Sequence, residues 1–175
     1  MPTLSPMFEY KDLPDLLEIA AAKNEPPFIL ILDGIEDPHN FGAILRTAEA
    51  AGVHGVVIRK ARQAPVTETV VKVSTGAARA VPIARVPNIA EAIRYLRNES
   101  LTVYGLEIDG KRLYNQPNYR GPAAFVVGSE GSGLARLVKE RCDEVVRLPM
   151  RGRLNSLNAS VAAGIILYEV LRQRG

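Results

Sequence analysis

The chain has 175 residues, of which 47% are hydrophobic and 23% are charged, and its formal net charge is +3 at pH 7. These values are typical of one globular domain with a buried core, and the sequence shows neither a long apolar run nor a basic-then-apolar start, so we expect no membrane span and no signal peptide. The single cysteine, Cys142, excludes an internal disulfide and a Cys-x-x-Cys metal site, and two histidines, His39 and His54, are too few to predict a zinc site. We therefore expect a cytoplasmic protein without a metal.

The charge is unevenly distributed along the chain. Residues 1–25 contain two lysines and five acidic residues, a net charge of −3, which leaves +6 for the remainder, mostly from arginine. Arginine is favoured where a protein grips phosphates with two hydrogen bonds or stacks on bases. This pattern fits a nucleic-acid partner, and a solvated arginine-rich surface explains it about as well.

In chain order, strands and helices alternate. Residues 1–27 are predicted to be a linker or a docking tail outside the core, with one short helix at residues 13–22. Apolar runs bounded by turn residues predict strands at 28–33, 55–58, 82–86, 101–106, 123–127 and 144–148. Helical spacing predicts helices at 41–51, 67–78, 89–97, 134–141 and 159–171. Because the strands are continuously apolar, we predict an α/β domain with a mostly parallel six-stranded sheet and helices on both faces.

Ligands of such sheets bind beyond the carboxyl ends of the strands, and four polar stretches follow strands here. They are residues 37–46, 106–109, 128–133 and 150–160. The sequence DGIEDPHN at residues 33–40 does not fit the glycine fingerprint of a dinucleotide-binding domain. No GxxxxGK[ST] sequence occurs, which argues against a P-loop nucleotide hydrolase.

The glycine-rich turn GSEGSG at residues 128–133 is the first candidate site. Free N–H groups at such a turn can hold a phosphate, but Glu130 in its middle would repel one. A ligand that offers hydroxyl groups or positive charge suits it better. A plain tight turn is the alternative explanation.

The start of the last helix is the second candidate site. Asn155, Ser156, Asn158 and Ser160 lie around it, and these are more helix-capping side chains than one helix start needs. The surplus predicts a polar site at the mouth of a buried helix, with an over-determined cap as the alternative. Asn40 and Arg46 frame the start of an earlier helix, where a cap and a surface charge would also account for them.

Three motifs taken together resemble the SpoU (TrmH-like) branch of the SPOUT RNA methyltransferases. They are NFGAILRTA at residues 40–48, GSEGSG at residues 128–133 and PMRGRLNSLNAS at residues 149–160, in the family's order and spacing. The resemblance runs from about residue 28 to residue 174. Details at residues 32–40 and 53–54 are most similar to members that 2′-O-methylate a guanosine of 23S rRNA.

The resemblance implies a C-terminal deep trefoil knot, S-adenosylmethionine as the methyl donor, RNA as the substrate and a homodimer whose second subunit completes the RNA-facing side. It implies that residues 28–175 form the catalytic domain and that residues 1–27 are what remains of a linker after an RNA-binding domain. The implied donor-binding residues are Leu106, Gly128, Glu130, Leu148, Met150, Ser156 and Leu157. The implied catalytic residues are Arg46, Asn40, Glu130, Ser156 and Asn158, and the implied RNA-binding residues are Arg46, Arg151 and Arg153.

Transfer of a methyl group to a ribose 2′-hydroxyl needs alignment and help with loss of a proton, and the donor is already activated, so no metal is required. A guanidinium essentially never loses its proton, so we expect Arg46 to stabilise the developing alkoxide, or to hold a phosphate or ribose, from a position opposite the donor's sulfur. Two other functions stay open: a non-catalytic RNA-binding module, and a 2′-O-methyltransferase for tRNA or another rRNA site.

Overall fold

The computed structural model describes residues 8–175. The part of the predicted tail at residues 1–7 lies outside this range. The strands are β1 (Phe28–Asp33), β2 (Gly55–Arg59), β3 (Ile83–Val86), β4 (Thr102–Leu106), β5 (Arg112–Leu113), β6 (Ala123–Gly128) and β7 (Glu144–Arg147). The helices are α1 (Leu13–Ala22), α2 (Pro38–Ala51), α3 (Glu68–Val73), α4 (Ala77–Ala80), α5 (Ile89–Asn98), α6 (Arg136–Arg141) and α7 (Ala159–Arg174).

The strands form one parallel sheet in the order β3-β2-β1-β6-β4-β7-β5. Successive residues of a strand face opposite sides, and two buried clusters result. One contains Leu30 and Leu32 with α2 and α7, and the other contains Ile29 and Ile31 with α1 and α5. The predicted α/β fold class, with a parallel sheet covered on both faces, is therefore confirmed.

The sheet has seven strands instead of the six predicted. The additional strand, β5, has two residues and pairs with β7 at the edge of the sheet. Two residues are too few to produce an apolar run, so the sequence pattern indicated only a loop there. The trefoil knot stays a prediction.

Two further expectations about the elements were wrong. The helix predicted at residues 67–78 is divided into α3 and α4, because Thr75 and Gly76 adopt positive φ angles of 56° and 86° between them. The segment before β1 is not outside the core over its described part: α1 lies where predicted, and its residues Leu16 and Ala20 are fully buried. Whether the segment is a linker from a further domain stays a prediction.

In the described part of the chain, residues 8–175, each helix is too short or too polar to cross a lipid bilayer.

Candidate functional site

A cleft lies at the carboxyl edge of the sheet, where β4, β6 and β7 end beside the start of α7. We call it the carboxyl-edge cleft. It is lined by Leu106, Glu107, Ile108, Val127, Gly128, Ser129, Glu130, Gly131, Ser132, Gly133, Leu148, Met150, Asn155, Ser156, Leu157, Ala159 and Ala162. Three of the four polar stretches that follow strands thus meet here, because β6, β4 and β7 are neighbours in the sheet.

One wall of this cleft is the glycine loop, residues 128–133, which closes on itself. The Gly133 N–H donates to the Ser129 carbonyl at 2.8 Å. A Cβ on Gly128 would lie 2.3 Å from the Gly133 carbonyl oxygen and 2.8 Å from the Leu134 nitrogen, so only glycine fits. Gly131 and Gly133 have φ angles of 87° and 67°, which side-chain-bearing residues rarely adopt.

Two carboxylates hold the end of the glycine loop. Glu107 Oε1 accepts from the Leu134 N–H at 2.8 Å, and Asp33 Oδ2 accepts from the Ala135 N–H at 2.8 Å. Sequence reasoning noted Glu107 only as part of a polar stretch and Asp33 only as the end of a strand. The available signal was an acidic residue at the end of β1 and another directly after β4, the two strands that neighbour β6.

The opposite wall is formed by the start of α7, which Asn158 caps. Its side-chain Oδ1 accepts from the Ser160 N–H at 2.9 Å and the Val161 N–H at 3.4 Å. Its Nδ2 donates to Asn40 Oδ1 at 3.1 Å. The cap and the link to α2 therefore use different atoms of one side chain, so capping alone does not account for Asn158.

The charge of the cleft is negative. Its lining contains the carboxylates of Glu107 and Glu130, and, among the described residues, the lining contains no lysine, arginine or histidine. A phosphate would be repelled, whereas a ligand with positive charge is favoured. This agrees with the expectation drawn from Glu130 in the sequence.

Arg46 does not line this cleft. It is exposed and lies in a separate surface pocket formed with Glu49, α4 and the turn before α4 at residues 74–76. On α2, Asn40 contacts Asn158, and Thr47 lies near Gly164 of α7. Gly42 instead contacts Val73 of α3, so Gly42 and Arg46 belong to the face turned to α3 and α4. Within one chain Arg46 therefore does not lie beside the cleft lining, and its place opposite the donor's sulfur stays a prediction.

The other predicted residues divide into two groups. All seven residues predicted to bind the donor line the cleft: Leu106, Gly128, Glu130, Leu148, Met150, Ser156 and Leu157. Asn40 and Asn158 are joined at the base of α7, outside the lining. Arg151 and Arg153 are exposed in the loop after β7 and also lie outside the lining. The roles of all these residues stay predictions.

Two titratable groups, the Asp109 carboxyl and the Cys142 thiol, have pKa values that their surroundings shift. The Lys139 ammonium donates to Asp109 at 2.6 Å and lowers the pKa of that carboxyl, which fastens α6 to the turn after β4. Burial raises the pKa of the Cys142 thiol to about 12, so the thiol is not a nucleophile near neutral pH. Within residues 8–175, no group of three or more His, Cys, Asp or Glu side chains could hold a metal ion.

Comparison with known proteins decides the family. The sequence model of the SpoU rRNA Methylase family matches residues 27–168. The chain belongs to this family. It is 49% identical over 167 residues to YacO of Bacillus subtilis (strain 168), which is assigned to the TrmH family of tRNA/rRNA methyltransferases, and the match covers 95% of this chain and 67% of YacO.

Two further proteins that are similar to this chain support the assignment to the SpoU family. The 23S rRNA (guanosine-2′-O-)-methyltransferase RlmB of Escherichia coli (strain K12) is 46% identical, with 95% of this chain and 67% of RlmB covered. The AdoMet-bound rRNA methyltransferase from Sinorhizobium meliloti is 31% identical with a TM-score of 0.82, and the match covers 94% of this chain and 61% of that chain. The predicted family is confirmed and, with it, the predicted class of enzyme and methyl donor.

Proposed function

We propose that this chain transfers the methyl group of S-adenosylmethionine to a ribose 2′-hydroxyl of RNA, with a guanosine of 23S rRNA as the favoured target. The observation that carries the proposal is the carboxyl-edge cleft, which combines a glycine loop, an apolar floor and two carboxylates without a basic side chain among its described lining residues. A sulfonium is a cation, so its charge fits this lining, and the adenosine part fits the apolar residues Leu106, Leu148 and Leu157.

S-adenosylmethionine, when bound, supplies a methyl group already activated by its positively charged sulfur. The residues of the chain then have to fix its position and that of the ribose hydroxyl. The glycine loop and the ends of β4 and β7 offer main-chain groups to the donor, and Glu107 and Glu130 favour its positive charge. Ser156 lies at the exposed mouth of the same cleft, where it can orient the ribose.

Arg46 lies outside the cleft of its own chain and contributes its positive charge to the handling of RNA. A guanidinium keeps its proton near neutral pH, so Arg46 holds an RNA phosphate or stabilises the developing alkoxide instead of acting as a base. Arg151 and Arg153, exposed beside the cleft, contact RNA phosphates. Phosphates are attracted to these positively charged side chains, whereas the acidic cleft repels them.

A homodimer brings Arg46 of one copy to the cleft of the other. Two observations support this part of the proposal. Arg46 lies outside the cleft of its own chain, and α7 carries Val161, Tyr168 and Leu171 on one face with exposures of 50%, 47% and 36%. An exposed apolar stripe of this kind is typical of a helix that packs on a partner.

We also propose that residues 28–175 are the catalytic domain, that the preceding segment is a linker which docks on it, and that the protein works in the cytoplasm, where an rRNA substrate would be found. The relatives are longer than this chain, which spans 67% of RlmB and of YacO. The assignment of YacO to tRNA/rRNA methyltransferases keeps a tRNA or another rRNA site as the second candidate substrate.

The test is transfer of a labelled methyl group into total RNA, followed by nuclease digestion and mapping. Label on a ribose 2′-oxygen of 23S rRNA supports the proposal, and label on tRNA supports the second candidate. Binding of RNA without any methyl transfer would show the non-catalytic module instead. For the dimer, the Arg46→Ala and Gly128→Ala chains are each expected to be inactive and to recover activity when co-expressed. No recovery would contradict a site shared between copies.

A further inference from the structure

We propose that Asp33 and Glu107 are positioning residues that hold the glycine loop in the shape the methyl donor requires. This inference rests on the proposed function of the cleft. It assigns a role to two acidic residues that lie outside the three sequence motifs.

The two carboxylates approach the loop from opposite sides. In the sheet, β6 lies between β1 and β4, and the glycine loop begins at the last residue of β6. Asp33 is the last residue of β1 and is paired with Gly128, whereas Glu107 directly follows β4. An acidic residue thus lies at the end of β1 and another directly after β4, the two strands that flank β6, and each reaches across to the loop.

Each carboxylate accepts from one of two consecutive amides. Glu107 takes the N–H of Leu134 and Asp33 takes the N–H of Ala135, both at 2.8 Å. These amides follow Gly133 directly, where the loop has already closed through the Gly133 to Ser129 hydrogen bond. The two acceptors therefore fix the far end of the loop, whereas β6 fixes its start at Gly128. Glu130 lies between these two fixed ends.

The backbone that carries each carboxylate is itself held by hydrogen bonds. The Glu107 N–H donates to the Val146 carbonyl at 3.0 Å, and the Glu107 carbonyl accepts from the Gly110 N–H at 3.1 Å. Its carboxylate packs on Gly133, where a Cβ would lie 2.6 Å from Oε1, so a side chain at residue 133 would expel it. Asp33 is held in the β1–β6 ladder.

Asp33 is buried away from the cleft, so an effect of Asp33 on donor binding would act through the loop and not through direct contact with the donor. It is 3% exposed and does not line the cleft. Its Oδ1 is buried without a hydrogen-bond partner among the described residues and lies 3.6 Å from Arg59 Nη1. A buried carboxylate is costly unless it is compensated, and the compensation here comes from the loop amide and the Arg59 charge. Glu107 lines the cleft, so it can also contact the donor.

The experiment compares Asp33→Ala and Glu107→Ala with the matched control Asp143→Ala. Asp143 also accepts from a backbone amide, that of Val103 at 2.8 Å, and is paired with Arg97 at 2.8 Å, but it lies near the opposite ends of the strands. Titration calorimetry measures the Kd for S-adenosylmethionine, NMR hydrogen exchange measures opening at the Gly133 amide without donor, and thermal unfolding measures stability.

We expect the Asp33 and Glu107 variants to weaken donor binding and to speed exchange of the Gly133 amide by about tenfold or more, as expected for loss of a hydrogen bond to a charged group. Asp33→Asn and Glu107→Gln keep an oxygen acceptor and should recover most of the loss. Asp143→Ala should lower thermal stability while donor binding and loop exchange stay at wild-type values.

Unchanged donor binding in both alanine variants, or an equal loss in Asp143→Ala, would overturn the inference. Absence of donor binding by the unmodified protein would instead overturn the proposed function, and the exchange of Gly133 would still decide whether the carboxylates hold the loop. Glu107→Ala changes a half-buried residue and serves as the test if Asp33→Ala does not fold.

Discussion

Asn158 at the start of α7 donates its Nδ2 to Asn40 Oδ1 at the start of α2, at 3.1 Å, although 118 positions separate the two residues. Asn40 belongs to the first and Asn158 to the third of the three motifs, and this hydrogen bond brings the two motifs into contact. The same Asn158 side chain caps α7 through its oxygen. One residue thus joins the two helices beside the cleft.

Asn158→Ala should lower the free energy of unfolding by about 1 kcal/mol or somewhat more, because an N-cap acceptor and the link to Asn40 are lost together. Asn158→Asp keeps the cap acceptor and places negative charge at a helix N-terminus, which is favourable. Denaturant unfolding of the three proteins measures the difference. Equal destabilisation by Ala and Asp would show that capping is not the main contribution.

Gly128→Ala should abolish donor binding and destabilise the protein by about 1–3 kcal/mol, because the new Cβ would collide with the backbone of Gly133 and Leu134. Gly121→Ala is the matched control: Gly121 is exposed, with no atom within 4 Å of the added Cβ, and should change stability by no more than about 0.5–1 kcal/mol. Calorimetry and thermal unfolding provide the readouts. Wild-type donor binding by Gly128→Ala would contradict the closed loop.

Stability should depend on pH through Glu144, which forms a two-point ion pair with Arg112 and joins β5 to β7. The hydrogen bonds from Arg112 lower the pKa of Glu144 below its ordinary value of 4.5. A lowered folded-state pKa means that the stabilisation is present above about pH 4.5 and is lost as the pH falls below that value.

The measurement compares the unfolding free energy of the wild type and of Glu144→Gln between about pH 6 and about pH 3. We expect the wild type to be more stable at the higher pH and the difference to shrink at the lower pH. Glu140→Gln alters an exposed pair with Arg136 and should have little effect at either pH. A Glu144→Gln difference that does not change with pH would contradict this account.

Arg151→Ala and Arg153→Ala should each weaken RNA binding and reduce the slope of log affinity against log salt by about 1, because each removes one phosphate contact. Donor binding should not change, since neither residue lines the cleft. Filter binding over a range of salt concentrations measures the slope. Arg136→Ala, an exposed arginine on α6, is the control. A slope unchanged in both variants would place the RNA elsewhere.

Strand composition and the order of the motifs were enough to predict where the cleft lies. The carboxyl ends of parallel strands meet at one edge, so Leu106, Gly128 and Leu148 could be placed together before the structure was known. The predicted start and end of α1 were also confirmed. That Leu16 of this helix is buried could not be seen, because a short apolar segment does not by itself say which surface it packs on.

The features that were missed depend on which elements are neighbours. The roles of Asp33 and Glu107 as acceptors follow from the position of β6 between β1 and β4, which local sequence does not reveal. The direction of Arg46 depends on α2 packing against both α7 and the α3–α4 pair. Spacing along a helix gives relative directions, but it does not say which neighbour each face meets.

The most direct test of the central claim is to incubate the protein with RNA and S-adenosylmethionine carrying a labelled methyl group, and then to locate the label by nuclease digestion and mass spectrometry. The account predicts label on a ribose 2′-oxygen, at a guanosine of 23S rRNA, and none with the Gly128→Ala protein. Label on a base, or undiminished ribose methylation by Gly128→Ala, would contradict it.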